Sequence, residues 1–109
     1  MITGKNKEQF ERYLVSNEIA TVVFDDGDYT VLLYDLPLSM QFGVIQDYAD
    51  SIGYAIEVLI TTDGLYNYYI NMVLIEDRLF KTRDEARLAA IKAFGEIVNR
   101  DTRIVKHLK

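Results

Sequence analysis

Apolar side chains recur every three or four residues in three segments of the chain, and each of these segments is predicted to form a helix. The first two predicted helices cover residues 6–15 and 37–52, and the third begins after Thr82. Pro37 fits the first position of the second helix, because a proline there loses no hydrogen bond. Gly53 fits the left-handed residue that follows the last turn of the same helix.

The third helix starts with the pattern of a capping box. The hydroxyl of Thr82 is expected to accept a hydrogen bond from the first turn, and the carboxylate of Glu85 is expected to reach back to a backbone N–H. The apolar stripe of this helix contains several small residues, which indicates close approach to a sheet or to another helix. The stripe consists of Ala86, Ala89, Ala90, Ala93, Phe94 and Ile97.

Alternation of apolar and polar residues predicts a β-hairpin over residues 20–34. Asp26 and Gly27 lie between its two arms and are a preferred pair for a two-residue type I′ turn. This turn sets a register in which the apolar side chains share one face of the hairpin. The predicted pairs are Ala20 with Leu33, Val22 with Val31, Phe24 with Tyr29, and Asp25 with Asp28.

A second and longer hairpin is predicted over residues 54–75, and its register follows from its loop. A two-residue turn at Asp63 and Gly64 would place asparagine side chains among the apolar ones. A three-residue loop that begins at Thr62 and holds Gly64 left-handed shifts the pairing by one residue and avoids this. The predicted pairs are Ile60 with Tyr66, Val58 with Tyr68, Ile56 with Ile70, and Tyr54 with Met72.

A short strand at residues 78–81 completes the predicted order α-β-β-α-β-β-β-α. The connections within the hairpins are too short to join parallel strands, so the paired strands must be antiparallel. The predicted class is therefore α+β, with one antiparallel sheet built from the two hairpins and the short strand, and with the helices packed mainly on one face. Residues 1–99 form a single predicted domain, followed by a basic tail at 100–109.

The composition excludes several kinds of functional site. The chain of 109 residues has no cysteine and one histidine, His107, which excludes disulfides, thiolate sites and multi-histidine metal sites. No nucleophile or phosphate-binding motif is present, and a carboxylate pair such as Asp47 and Asp50 is too common on helices to indicate a hydrolase. The sequence therefore predicts a protein that is not an enzyme and has no cofactor.

Charge is distributed unevenly along the chain. No lysine or arginine occurs between Arg12 and Arg78, and this stretch holds eleven aspartate and glutamate residues. Carboxylates that form one anionic surface would steer the protein towards a basic protein partner. In the more specific version of this hypothesis, the surface mimics nucleic acid and binds a DNA- or RNA-binding protein. The candidate acidic interaction surface consists of Asp25, Asp26, Asp28, Asp47, Asp50, Glu57 and Asp63.

The aspartates of the first hairpin and the tyrosines of the second also allow other interpretations. The aspartates around Gly27 offer oxygen ligands to Ca²⁺ or Mg²⁺, but their spacing does not match an EF-hand loop and hairpin turns favour the same residues, so no metal site is predicted. Tyr66, Tyr68 and Tyr69 could stack nucleotide bases. In the predicted register, however, Tyr66 and Tyr68 face the core and only Tyr69 faces outward.

The alternative function is an RNA- or DNA-binding module that uses the basic start of the last helix and the basic tail. Its candidate phosphate contacts are Arg78, Lys81, Arg83 and Arg87. The same side chains are equally suited to pairing with the acidic middle of this chain or with another chain, and a simple solvated surface is the favoured interpretation. The negative charge of most of the chain argues against nucleic acid as the partner.

Two resemblances accompany these patterns. The segments LPLSMQFGVIQDYADSIGY at 36–54 and FKTRDEARLAAIKAFGEIVN at 80–99 resemble small uncharacterised proteins encoded by bacteriophages and prophages. This resemblance implies a mobile-element setting and no activity, because the residues that carry it are turn and cap residues. The predicted order α-β-β-β-α over 37–99 is similar to a double-stranded-RNA-binding domain, but the lysine cluster with which that family contacts RNA is missing here.

No apolar run is long enough for a signal peptide or a membrane span, so a cytoplasmic location is expected. The sequence thus predicts a non-enzymatic interaction or accessory protein of phage or mobile-element origin. It is expected to be a monomer or a homodimer and to bind another protein.

Overall fold

The computed structural model describes residues 4–17, 22–25, 28–31 and 35–100. These residues form three helices and five strands, and the three helices and first four strands lie in the segments where the sequence predicts them. The helices are α1 (Gly4–Ser16), α2 (Leu38–Ser51) and α3 (Arg83–Arg100), and the strands are β1 (Val22–Asp25), β2 (Asp28–Val31), β3 (Ile56–Ile60), β4 (Tyr66–Ile70) and β5 (Val73–Leu74).

The strands form two antiparallel sheets. Strands β3, β4 and β5 lie side by side in one sheet, and β1 and β2 form a sheet of their own. The α+β class is confirmed, but the prediction that both hairpins share one sheet is wrong for the strands described here. Alternation fixes which residues pair within a hairpin and says nothing about which hairpins lie next to each other.

Both predicted hairpin registers are confirmed in their central pairs. Phe24 lies opposite Tyr29 and Asp25 opposite Asp28 in the first hairpin. In the second, Ile60, Val58 and Ile56 lie opposite Tyr66, Tyr68 and Ile70. Gly64 has a φ of +79°, as the three-residue loop requires. The pair of Ala20 with Leu33 and the tip at Asp26 and Gly27 lie outside the described residues.

The second hairpin ends earlier than the sequence predicts. Asn71 and Met72 have φ values of +53° and +66°, so the chain turns back there and Val73 pairs with Ile70. The predicted pair of Tyr54 with Met72 is therefore wrong. The turn is held by Asn71, whose N–H donates to the carbonyl of Ala55 at 2.8 Å and whose Oδ1 accepts from the N–H of Ala55 at 2.8 Å.

The prediction of a strand at 78–81 is also wrong, because Phe80 is the one residue of this segment that pairs with a strand. Its N–H and carbonyl bond to the carbonyl and N–H of Tyr66 at 2.8 and 2.9 Å and form an isolated bridge. Residues 73–80 thus follow the free edge of β4, paired near both ends and departing from it in between. Most of the predicted tail, residues 101–109, lies outside the described residues.

The end of α2 follows the predicted cap, but its start does not, because Pro37 is the N-cap residue and not the first residue of the helix. Pro37 precedes α2 and its carbonyl accepts the N–H groups of Met40 and Gln41. After the helix, Gly53 adopts a φ of +90° and the N–H of Tyr54 reaches the carbonyl of Ala49 at 2.8 Å, which is a Schellman motif.

The capping box of α3 is formed with a shift of one residue. The N–H of Glu85 donates to the hydroxyl of Thr82 at 3.1 Å, as predicted. The carboxylate of Glu85 accepts the N–H of Lys81 at 3.3 Å, one residue before the cap. Both bonds occupy donors that the helix itself cannot satisfy.

The core lies between the three-stranded sheet and the helices. The ring of Tyr48 is at its centre, with centroid distances of 5.0 Å to Phe10 and 6.1 Å to Phe94. Ala86 and Ala90 are fully buried, which confirms that α3 packs closely. Among the described residues, no helix is long and apolar enough to span a membrane.

Candidate functional site

The predicted acidic residues lie on several separate elements. Asp47 and Asp50 are exposed on α2, and Asp63 is exposed in the loop between β3 and β4. Glu57 is exposed on β3 and lies next to the buried Ile56, so it projects from the sheet face opposite the helices. The structure therefore brings Asp47 and Asp50 together on one helix and does not bring Glu57 to them.

The remaining acidic candidates are in the first hairpin. Asp25 and Asp28 lie opposite each other in the register, and Asp26 is outside the described residues. Among residues 4–17, 22–25, 28–31 and 35–100, no three carboxylate or histidine side chains lie close enough to hold a metal ion.

Three of the four candidate phosphate-binding side chains lie over aromatic rings of their own chain. The guanidinium carbons of Arg78, Arg83 and Arg87 lie 4.8, 5.3 and 5.9 Å from the ring centroids of Phe80, Tyr66 and Phe42. Arg87 also forms a salt bridge of 2.9 Å with Asp84. Lys81 is exposed. The basic start of α3 is thus largely engaged in intramolecular contacts.

The tyrosines of β4 lie as the register predicts. Tyr68 is buried, Tyr66 packs against the core, and Tyr69 lies on the opposite face. The hydroxyl of Tyr68 donates a hydrogen bond of 2.8 Å to Oε2 of Glu76. Burial raises the pKa of Tyr68 above the ordinary tyrosine value, and the bond to Glu76 and its negative charge act in the same direction.

A pocket of about 220 Å³ lies beside this hydrogen bond, between α3 and the segment that follows β5. Ala89 and Ala93 leave space on the wall of α3 because their side chains are small. The other lining residues carry charges of both signs, so the pocket has no net preference for an anion or a cation. They are Glu76, Arg78, Lys92 and Glu96, with Tyr68 completing the wall.

Apolar side chains between residues 72 and 79, a segment that includes β5, are exposed to solvent. Met72 is 90% exposed and Val73 58%, although both belong to residue types that are usually buried. We call the exposed apolar residues of the segment the apolar strip. It consists of Met72, Val73, Leu74, Ile75 and Leu79.

The apolar strip is fixed at several points of its length. The turn at Asn71 and Met72 holds its start, and the bridge from Phe80 to Tyr66 holds its end. Between them, the hydrogen bond from Tyr68 to Glu76 ties the segment to β4. The strip is thus presented on an anchored part of the chain, which lowers the entropy lost when a partner binds.

The sequence patterns place residues 72–75 in the second hairpin and therefore do not predict the apolar strip. A usable signal was present: four consecutive apolar residues do not alternate, so a strand with one exposed face does not explain them. Asn71 is also a favoured residue for a turn with positive φ. The two observations together indicate a turn followed by an exposed apolar segment.

No protein-family model, curated protein or solved structure matches this chain.

Proposed function

We propose that this chain is a non-enzymatic interaction protein that binds a basic protein partner through the apolar strip. The observation that carries this proposal is the run of exposed apolar side chains on an anchored sheet edge. Large exposed apolar patches are uncommon on monomeric proteins, and they mark interaction sites. Met72 supports the same interpretation. Its left-handed backbone is strained for a residue other than glycine, and its exposed side chain offsets little of this strain by packing within the chain. Strain of this kind is concentrated at functional sites.

The charges around the strip favour a basic partner. Glu76 and Asp77 lie within the same segment. On the sheet face opposite the helices, Glu57, Tyr69 and Leu74 are neighbours across the three strands. The nearest cation in the segment, Arg78, lies over the ring of Phe80. Lysine or arginine side chains at the rim of a partner would therefore meet carboxylates.

The acidic stretch of the chain has a different role in this proposal. Its exposed carboxylates lie on separate elements, so they do not support a surface that mimics nucleic acid. They still give most of the chain a negative field, and such a field accelerates encounter with a basic protein. The apolar strip would supply the binding area, and the carboxylates would supply the steering.

The test uses synthetic peptides in which apolar residues alternate with lysine, and the same peptides with glutamate in place of lysine. Fluorescence polarisation should detect binding of the lysine peptides only, and the affinity should fall as salt is added. Val73→Asp in the apolar strip should abolish binding. Leu88→Asp is the matched control, because Leu88 is 50% exposed but lies on α3. Equal loss in both variants, or no binding of either peptide, would overturn the proposal.

The nucleic-acid alternative is tested on the same protein by gel shift with double-stranded RNA and single-stranded DNA in low salt. Binding that Lys81→Ala and Arg83→Ala reduce would support the alternative. No shift is expected, because the chain has a net charge of −5 and no basic residue between Arg12 and Arg78.

A further inference from the structure

The outer edge of β3 presents hydrogen-bonding groups that its own sheet does not use. The carbonyl of Ala55 accepts the N–H of Asn71, and the N–H of Thr61 donates to the carbonyl of Leu65, so both residues direct their backbone towards β4. Backbone direction alternates along an antiparallel strand. Ile56, Val58 and Ile60 therefore direct their N–H and C=O groups away from β4.

Among the described strands, β4 is the only one that pairs with β3. One contact on the free edge is made by a side chain, since Nε2 of Gln46 donates to the carbonyl of Ile56 at 2.8 Å. This bond confirms that the carbonyl points away from β4. It leaves a second lone pair on that oxygen for another donor.

All residues of β3 except Glu57 are apolar, as is typical of an internal strand. Edge strands are normally protected by lysine, proline, a bulge or very short length. The segment IEVLI has five residues, contains neither lysine nor proline, and pairs with β4 without a bulge. Ile60 is 59% exposed and Leu59 47% exposed at its end.

We infer that β3 pairs with β3 of a second copy of this chain, antiparallel about a two-fold axis at Val58. In this register Val58 faces Val58 of the second copy and Ile56 faces Ile60, so all the outward backbone groups find partners. Glu57 faces Leu59 and not another Glu57, which avoids the like-charge pair that would oppose association. The exposed Ile60 gains an apolar neighbour.

The strand is thus complementary to itself, which is what a two-fold symmetric interface requires. The resulting dimer has one continuous sheet with β5 at both outer edges, and each β5 carries an apolar strip. Because β3 and β5 are opposite edges of the sheet, this inference does not depend on the proposed partner of the strip.

The test combines sedimentation equilibrium with amide hydrogen exchange. The mass should rise with concentration to twice the 12.6 kDa of one chain. In the dimer, the amides of Val58 and Ile60 should exchange slowly, and they should become fast on dilution. The amide of Leu59 is the internal reference, because it faces Asn67 of β4 in both states. A chain that stays monomeric, or a dimer with fast exchange at Val58 and Ile60, overturns the inference.

A matched pair of variants gives a second readout. Ile60→Pro removes an outward N–H without removing a bond to β4, and Ile60→Thr keeps that N–H. The dissociation constant of the dimer should rise roughly tenfold or more in the proline variant compared with the threonine variant, because two hydrogen bonds are lost across the two-fold axis. Val73→Asp should leave dimerisation unchanged, so a failure of the strip proposal and a failure of this one give different results.

Discussion

The buried hydroxyl of Tyr48 allows a quantitative test of how α1 is attached to the rest of the protein. The hydroxyl donates a hydrogen bond of 2.7 Å to Oδ1 of Asn6, and both residues are 1% exposed. The backbone N–H of Asn6 donates to Oδ1 of Asn99 at 3.1 Å. Asn6 thus connects α1 with α2 through its side-chain oxygen and with α3 through its backbone N–H.

Tyr48→Phe removes the hydroxyl and keeps the ring, so the packing against Phe10 and Phe94 is retained. The variant leaves Oδ1 of Asn6 buried without this donor. A buried polar atom that loses its partner costs about 1–3 kcal/mol. The free energy of unfolding at neutral pH should fall by this amount.

The difference between the two proteins should depend on pH in a defined direction. Burial raises the pKa of Tyr48 above the ordinary value of about 10 for an exposed tyrosine. Above pH 10 the unfolded chain loses this proton while the folded protein keeps it, so the unfolded state binds fewer protons. The contribution of Tyr48 to stability is therefore complete below pH 10 and decreases by about 1.4 kcal/mol for each further pH unit.

Urea denaturation followed by circular dichroism at several values between pH 7 and pH 12 measures the effect. Above pH 10, the free energy of unfolding should fall more steeply for wild type than for Tyr48→Phe. The difference in this free energy between the two proteins should therefore become smaller. The remaining slope of the variant includes the contribution of Tyr68, whose pKa is also raised by burial. Tyr13→Phe, on the neighbouring ring 5.4 Å from Tyr48, is the control. A gap that stays constant from pH 7 to pH 12 would refute the role given to the Tyr48 hydroxyl.

Three further substitutions test the local structure. Met72→Gly should stabilise the fold by about 1 kcal/mol in thermal denaturation, because glycine adopts the φ of +66° without steric cost, and it should weaken peptide binding to the strip. Gly53→Ala should destabilise by about 1–2 kcal/mol, because its φ of +90° strains any residue with a Cβ, and unchanged stability would contradict the assigned Schellman motif. Thr82→Ala should cost about 1 kcal/mol, measured by urea denaturation, whereas Thr82→Ser should retain most of the stability.

The hairpin registers were predictable because they depend on short-range constraints. The pairing of Ile60 with Tyr66 follows from one left-handed glycine and from a side-chain period of two, which a slip of one residue would violate. The caps at Thr82 and Gly53 are equally local. Each is set by a few residues around one helix end.

The errors concern contacts over longer distances along the chain. The run from Met72 to Ile75 has the composition of a buried strand. Asn71 favours a turn before it, but only the folded chain shows that the run lies at an edge of the sheet. Patterns also could not show that Arg83 lies over the ring of Tyr66, because those residues meet through the bridge at Phe80.

The acidic stretch shows the same division between local and long-range information. No lysine or arginine occurs between Arg12 and Arg78, so the net negative charge of this stretch is the same for any fold of the chain. Where the carboxylates lie is a tertiary property, because Glu57 and Asp47 are directed by different elements to different faces. Periodicity, turn residues and charge are properties of neighbouring residues, so the amino-acid order specifies them. A binding surface combines side chains from distant segments, so it exists only once those segments have packed.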